Sequence, residues 1–210
     1  MQDLLEDREF QRLEKLFPFL SRAREHIVQL EKEKYVIVDI ETTGLDPSIN
    51  EIIEIGALKI ENGEIKDIFN HLINPKSQIS PQIEQLTGIN QEMVAEHPKI
   101  EEIAPKFLSF IEDDMLVAHN TDFDIPFLKH HSKKKFSNIL ICTLKLSRKY
   151  LINLSNHKLH TVASYFGIKG LNQHRALGDV ETTYQLWMKM IPFLRDKGIY
   201  TKEDLQKALT

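Results

Sequence analysis

The sequence predicts an α/β chain in which a mixed β-sheet carries helices on its faces. Three observations lead there. Short runs rich in β-branched residues come first, at Tyr35 to Ile40, Glu51 to Ile60 and Glu64 to Ile73. The last two are separated by Glu61-Asn62-Gly63, a hairpin signal, because Asn and Gly tolerate the positive φ of a tight turn. Beyond them the apolar runs Met115 to Ala118 and Ile139 to Ile141 alternate with helical stretches, the pattern that places helices over a sheet.

Taken in order, residues 3–33 read as a helical extension. Leu13, Leu16, Leu20, Ala23, Ile27 and Leu30 recur at spacings of three and four, and Pro18 predicts a break in that stripe. Such a stripe serves either the chain's own core or a docking surface. The main domain is expected over 34–192. Within it, Pro81 to Leu86 reads as a short helix capped by Ser80 and ended by Gly88. Ile100 to Ile111 has acids at its start, as the helix dipole prefers. Phe123 to His131, Leu159 to Phe166 (closed by Gly167) and Ala176 to Ile191 (stopped at Pro192) complete its helices. A tail over 193–210 carries a last helix, opened by Thr201 with Asp204 three residues on.

Composition narrows the function. Hydrophobic content of 41% and charged content of 28% suit a folded water-soluble chain. The single cysteine, Cys142, excludes an internal disulfide and a multi-cysteine zinc site; it reads as a small core residue and fits a reducing cytoplasm. The acidic start Met1-Gln2-Asp3-Leu4-Leu5-Glu6-Asp7 lacks the pattern of a secretion signal, and no apolar run approaches the ~20 residues that cross a bilayer. A net charge of −4 argues against coating nucleic acid by bulk positive charge, although bound cations can still meet phosphates at one site.

The chemistry concentrates at three acidic stations. Asp39 lies inside a run that should be buried, where a carboxylate is costly to desolvate, and Glu41 projects from the same face two residues on. Two like charges side by side call for a cation, and paired hard oxygens suit Mg²⁺ or Mn²⁺. The plain alternative is a strand end whose acids face water. At the second station, His119-Asn120-Thr121-Asp122-Phe123-Asp124, Asp122 is placed to cap a helix and Asp124 to profit from its dipole. Asp124 also joins Asp39 and Glu41 if Met115 to Ala118 pairs beside the first strand. At the third, His174 stands ahead of a helix that carries Asp179, and a histidine among carboxylates is a common general base.

Together, Val38-Asp39-Ile40-Glu41-Thr42-Thr43-Gly44, Ala118-His119-Asn120-Thr121-Asp122-Phe123-Asp124 and His174-Arg175-Ala176-Leu177-Gly178-Asp179 resemble the three exonuclease motifs of the DEDD superfamily. The spacing of His174 to Asp179 matches its histidine-bearing branch, and Asn156-His157-Lys158-Leu159-His160-Thr161-Val162-Ala163 adds to a likeness with the proofreading exonucleases of bacterial replicative DNA polymerases.

The resemblance spans about residues 34–192 and implies a ribonuclease H-like fold. It implies two divalent cations, Mg²⁺ or Mn²⁺, held by Asp39, Glu41, Asp124 and Asp179, with His174 as general base. It implies release of nucleoside 5′-monophosphates from a single-stranded or frayed DNA 3′ end, with a replicative polymerase subunit as partner and no membrane. Substrate contacts carry over to the backbone of Thr42 and Thr43, to Asn120 near the scissile phosphate, and to Phe123 stacking or wedging near the penultimate base. Thr87 stands where the epsilon-type subunit has a histidine, and Gln82 is a more distant candidate. Lys129, Lys133, Lys134 and Lys135 are either a solvated helix end or a track for the strand. The alternatives are an exoribonuclease acting on RNA ends or short oligoribonucleotides, since no residue visibly tests a 2′-hydroxyl, and an inactive docking module.

Overall fold

The structure, a computed structural model, describes residues 29–133, 137–169 and 175–210. The sheet is built on β1 (Lys34–Thr42), whose alternation feeds two separate cores. Tyr35 and Ile37 face one side; Val36, Val38 and Ile40 face the other. Because the period is two, Asp39 and Glu41 fall on the side of Tyr35 and Ile37.

Strands β2 (Ile52–Glu61) and β3 (Glu64–Leu72) follow antiparallel, joined at Asn62 and Gly63 with φ of 53° and 75°. Both values are positive, which is what the Asn-Gly turn predicts. β4 (Met115–Ala118) and β5 (Leu140–Cys142) add on the opposite side of β1, parallel, giving the order β3-β2-β1-β4-β5. The pairing of β4 beside β1 brings the ends of both strands to one edge.

The helices are α1 (Gln29–Lys32), α2 (Pro81–Thr87), α3 (Gln91–Val94), α4 (Ile100–Ile111) and α5 (Thr121–Ser132), then α6 (Thr143–Tyr150), α7 (Leu159–Tyr165), α8 (Ala176–Arg195) and α9 (Lys202–Leu209). The expected caps form: Ser80 Oγ accepts from the Ile83 amide, Gly88 takes φ 70°, and Thr201 and Asp204 satisfy each other's amides at 3.1 Å. Helix α8 covers the Tyr35 face through Val180, Leu186 and Trp187, while α4 and α5 cover the other through Phe107, Ile125 and Phe127. Tail residues Leu205 and Ala208 bury into the α8 core.

Four features depart from the sequence reading. α8 passes through Pro192 to Arg195, since one missing amide removes a single ladder bond while Leu194 stays fully buried. Asp122 does not cap α5; the helix starts at Thr121, two residues earlier than expected, and the Asp122 carboxylate instead meets Lys145 at 2.8 Å. The short α3 was not expected. Neither was α6, whose buried face is Thr143, Leu146 and Ser147, so polar residues conceal its period. The predicted extension before Gln29, with its stripe and Pro18 break, lies outside the described residues.

Trp187 is fully buried, edge-on to Tyr35 at 5.6 Å between centroids, and its indole N–H finds no acceptor among the described residues. We expect Trp187→Ala to cost about 3–5 kcal/mol, as large-to-small core changes do. Trp187→Phe removes the orphan donor along with part of the volume, so we expect a loss under about 2 kcal/mol. Urea denaturation of both variants checks this.

Candidate active site at the ends of β1, α5 and α8

Three secondary elements deliver the acids. Asp39 and Glu41 stand half-buried near the end of β1, on the face that α8 covers, and Asp179 sits in the first turn of α8, where the helix dipole favours its charge. Carboxylate oxygens of Asp39, Glu41 and Asp179 lie within 4.8 Å of one another. Asp124 is buried in the first turn of α5 and bonds to the backbone amide of Ile40, between the two β1 acids. The three acidic stations therefore meet in one place.

What fixes α8 over the strand is a second buried acid. Glu54 on β2 is the cross-strand neighbour of Glu41 and is 1% exposed. Its two oxygens receive Arg175 Nη2 at 2.9 Å and Nε at 3.2 Å, and the Ala176 amide at 3.0 Å. Such a two-pronged Arg–carboxylate bond is strong and directional. Two residues along β2, a Cβ on Gly56 would come within 2.7–2.9 Å of the Ala176 and Leu177 backbone, so only glycine admits the start of α8 at this depth. Gly56 pairs with Asp39, which puts this contact beside the cluster. A register shift directly after Glu41 ends its regular pairing with β2.

The electrostatics follow from burial and crowding. Burial, then Asp179, Glu54 and Asp124, pushes Glu41 up to about 8, with Arg175 opposing. Burial raises Asp124 to about 7, partly offset by its own amide and that of Ile40. Asp39 rises well above the usual carboxylate range through burial and then Asp124, Glu41 and Asp179. As a bare set, these acids resist ionising together near neutrality. Hard oxygen ligands in such a set are the donors a divalent cation takes.

The remaining candidates are placed as follows. Thr43 closes a loop: its amide donates to Glu51 C=O at 2.8 Å and its hydroxyl accepts from the Glu51 amide. Thr42 Oγ1 donates to Gly44 C=O at 2.6 Å. Thr87 is buried, its hydroxyl bonded to Ile83 C=O and the Ile89 amide, so it serves the end of α2. Asn120 is exposed at the start of α5, and Phe123 is half-buried against Phe127, 5.2 Å between centroids. Gln82 is exposed on α2. Lys129 and Lys133 are exposed at the end of α5, whereas His174, Lys134 and Lys135 lie outside the described residues. Sequence reasoning missed Glu54, yet the cue was there: a carboxylate inside an apolar run, as at Asp39.

His119 links the second acidic segment to α6 and to the segment before α7. Its Nε2 lies 2.9 Å from His157 C=O, which can only accept, so Nε2 carries the proton and Nδ1 accepts from Thr143 Oγ1 at 2.9 Å. Burial lowers its pKa to about 4. Among the described residues no helix is long and apolar enough to cross a membrane.

Residues 36–187 match the exonuclease family RNase_T. The chain is 44% identical over 179 residues to a DNA polymerase III PolC-type of Caldanaerobacter subterraneus and 39% identical over 185 residues to that of Bacillus subtilis. These alignments cover 84% and 86% of this chain but 13% of each relative, so the chain spans about an eighth of their length. Among solved structures, exonuclease X in complex with 5′ overhanging duplex DNA superposes with a TM-score of 0.68 at 29% identity, covering 84% of this chain and 99% of that one. The nuclease domain of 3′hExo, a DEDDh family member, bound to rAMP, gives 0.66 at 21% identity, covering 79% and 93%, a likeness of fold. The mixed sheet with flanking helices is thus the ribonuclease H-like exonuclease fold the sequence predicts.

The raised carboxylates set a pH dependence. Glu41 at about 8 and Asp124 at about 7 hold protons in the folded state that their unfolded counterparts, near 4.5 and 3.8, release at lower pH. Their contribution is therefore full below about 4 and lost as pH rises through 7 and 8. We expect the Tm of the chain in EDTA to fall between about pH 5 and 8, and saturating Mg²⁺ to restore more of it at pH 8 than at pH 5. Thermal melts across that range, with and without metal, check it.

Proposed function

Since the chain belongs to the exonuclease family, we propose that it removes nucleoside 5′-monophosphates one at a time from the 3′ end of single-stranded or frayed DNA, using two divalent cations, Mg²⁺ or Mn²⁺. The observation that carries this reading is the convergence of Asp39, Glu41 and Asp179 within 4.8 Å, with Asp124 bonded to the Ile40 amide between the first two. Their shared resistance to ionising is what a bound cation relieves, so the donor set fits the cofactor. Asp39, Glu41 and Asp179 would hold one ion, and Asp39 with Asp124 the other. When bound, the ions supply positive charge to the attacking and leaving oxygens of an in-line displacement.

The chain's own residues do the rest. His174, next to the Arg175 that is anchored on Glu54, takes a proton from the attacking water. The water oxygen ends on phosphorus, the bond from phosphorus to the 3′-oxygen of the remaining strand breaks, and that oxygen is reprotonated from solvent. Thr42 and Thr43 shape the turn beside the terminal sugar, the Thr43 amide being already engaged by Glu51 C=O; Phe123 supplies a stacking surface near the penultimate base, and Asn120 orients the scissile phosphate. Thr87 shapes the nucleotide side through the turn it closes. Stacking on one aromatic ring contributes about 1–3 kcal/mol and tolerates any base.

Two relatives support DNA as substrate: the PolC-type enzymes are DNA polymerases by name, and exonuclease X is seen on duplex DNA with a 5′ overhang. We place the nuclease unit at 34–192, preceded by the helical extension 1–33 and followed by a tail, 193–210, that packs back on it. Its setting is the cytoplasm, at 3′ ends left by a replicative polymerase. A mispaired end frays more readily than a paired one, which loses about 1.4 kcal/mol of stacking per step, so selectivity for mispairs can come from the DNA.

Degradation of a 5′-labelled oligomer with Mg²⁺ or Mn²⁺ tests this reading. We expect a ladder shortened from the 3′ end, no detectable turnover by Asp39→Asn, and about 10²–10⁴ slower turnover by His174→Ala. Parent-like rates in Asp39→Asn reject the site, and faster turnover of a matched RNA oligomer rejects the DNA assignment.

A further inference from the structure

A cavity of about 560 Å³ shares Asp179 with the acidic cluster. Asp179 and Asn120 line it together with Arg148, Asn156, Lys158 and His160. Its volume falls within the ~300–1,000 Å³ of ligand pockets, enough for a nucleotide unit. The chemistry of the wall is one-sided. Arg148 and Lys158 are exposed and form no ion pair among the described residues, in contrast to Lys59, Lys145 and Arg175, which all meet carboxylates. The Asn156 amide oxygen accepts from the Lys158 amide at 3.1 Å and from Thr161 Oγ1 at 2.8 Å, which leaves its NH₂ as a donor. Asp179 is the one carboxylate among the described residues of the lining.

The wall is also built in advance. His119 donates to His157 C=O, and the His157 ring meets Ser147 Oγ at 3.1 Å. These bonds tie the segment bearing Asn156 and Lys158 to the start of α5 and to α6. Thr42, Thr43 and Thr87, the residues assigned to the terminal nucleoside, do not line this cavity. A strand whose scissile phosphate sits at the cluster has only two directions in which to extend: the terminal nucleoside on one side and the retained strand on the other.

We infer that Arg148 and Lys158 hold the phosphodiester of the nucleotide immediately 5′ of the scissile phosphate, whose backbone passes through this cavity. The inference rests on the nuclease reading above. It makes these two cations positioning residues, which secure the retained strand without touching the reacting atoms.

The test compares two substrates in the presence of Mn²⁺: a single-stranded oligodeoxynucleotide and the 4-nitrophenyl ester of thymidine 5′-monophosphate, which carries nothing nucleotide-like on the far side of its phosphate. For Arg148→Gln with Lys158→Gln we expect the oligomer KM to rise about tenfold or more, the factor expected from removing a charged hydrogen bond, with little change in kcat. The KM for the ester stays at the parent value. The dependence of log KM on log salt flattens by about 0.7 for each phosphate of the single strand that is no longer neutralised. Lys66→Gln, on the distant edge strand β3, keeps the parent slope. An unchanged oligomer KM and slope, or an equal effect on the ester, overturns the assignment while the nuclease reading stands. A parent chain that hydrolyses neither substrate removes both.

Discussion

The structure depends on holding several carboxylates against one another in a partly dry place. Burial and mutual repulsion oppose the ionised forms of Asp39, Glu41 and Asp124. The fold tolerates this because the elements carrying them are fixed by interactions that do not involve the cluster itself. β1 is clamped between two cores, α5 is seated by Ile125 and Phe127, and α8 is seated by Trp187 and by the Arg175–Glu54 contact. The acids are thus presented by a frame whose stability comes from elsewhere, the arrangement expected of strained functional sites.

Glu54 has a double part in that arrangement. Its charge adds to the repulsion felt by Glu41, yet its bond to Arg175 brings a guanidinium that opposes the same repulsion. Taking away one partner of a buried ion pair generally costs more than the pair contributes, since the other charge is stranded. The pair therefore specifies where α8 begins. Gly56 does the same by geometry, since it lets the helix backbone approach where any side chain would hold it off.

Much of this was legible in the residues. The β1 alternation, the Asn62-Gly63 turn, the Ser80 and Thr201 caps and the boundaries of α4 and β4 were readable because each rests on local chemistry, and local chemistry is what a linear string displays. The convergence of Asp39, Glu41, Asp124 and Asp179 was readable from Asp39 inside a run that should be buried, with Glu41 on the same face, and from the resemblance of the three stations to the exonuclease motifs. Helix α6 was hidden because its buried stripe is largely hydroxyl-bearing, and the run of α8 through Pro192 was hidden because tertiary burial of Leu194 outweighs a local breaker. Glu54, Gly56 and the His119 bridge act only across distant segments, so nothing near them in the chain announces their partners.

The state of His119 has a wider consequence. With its Nε2 proton committed to a carbonyl and its pKa near 4, the imidazole is uncharged across the range in which cells live. The bonds by which His119 joins the second acidic segment to Thr143 and His157 therefore keep one protonation state over a range in which Glu41 and Asp124 change theirs.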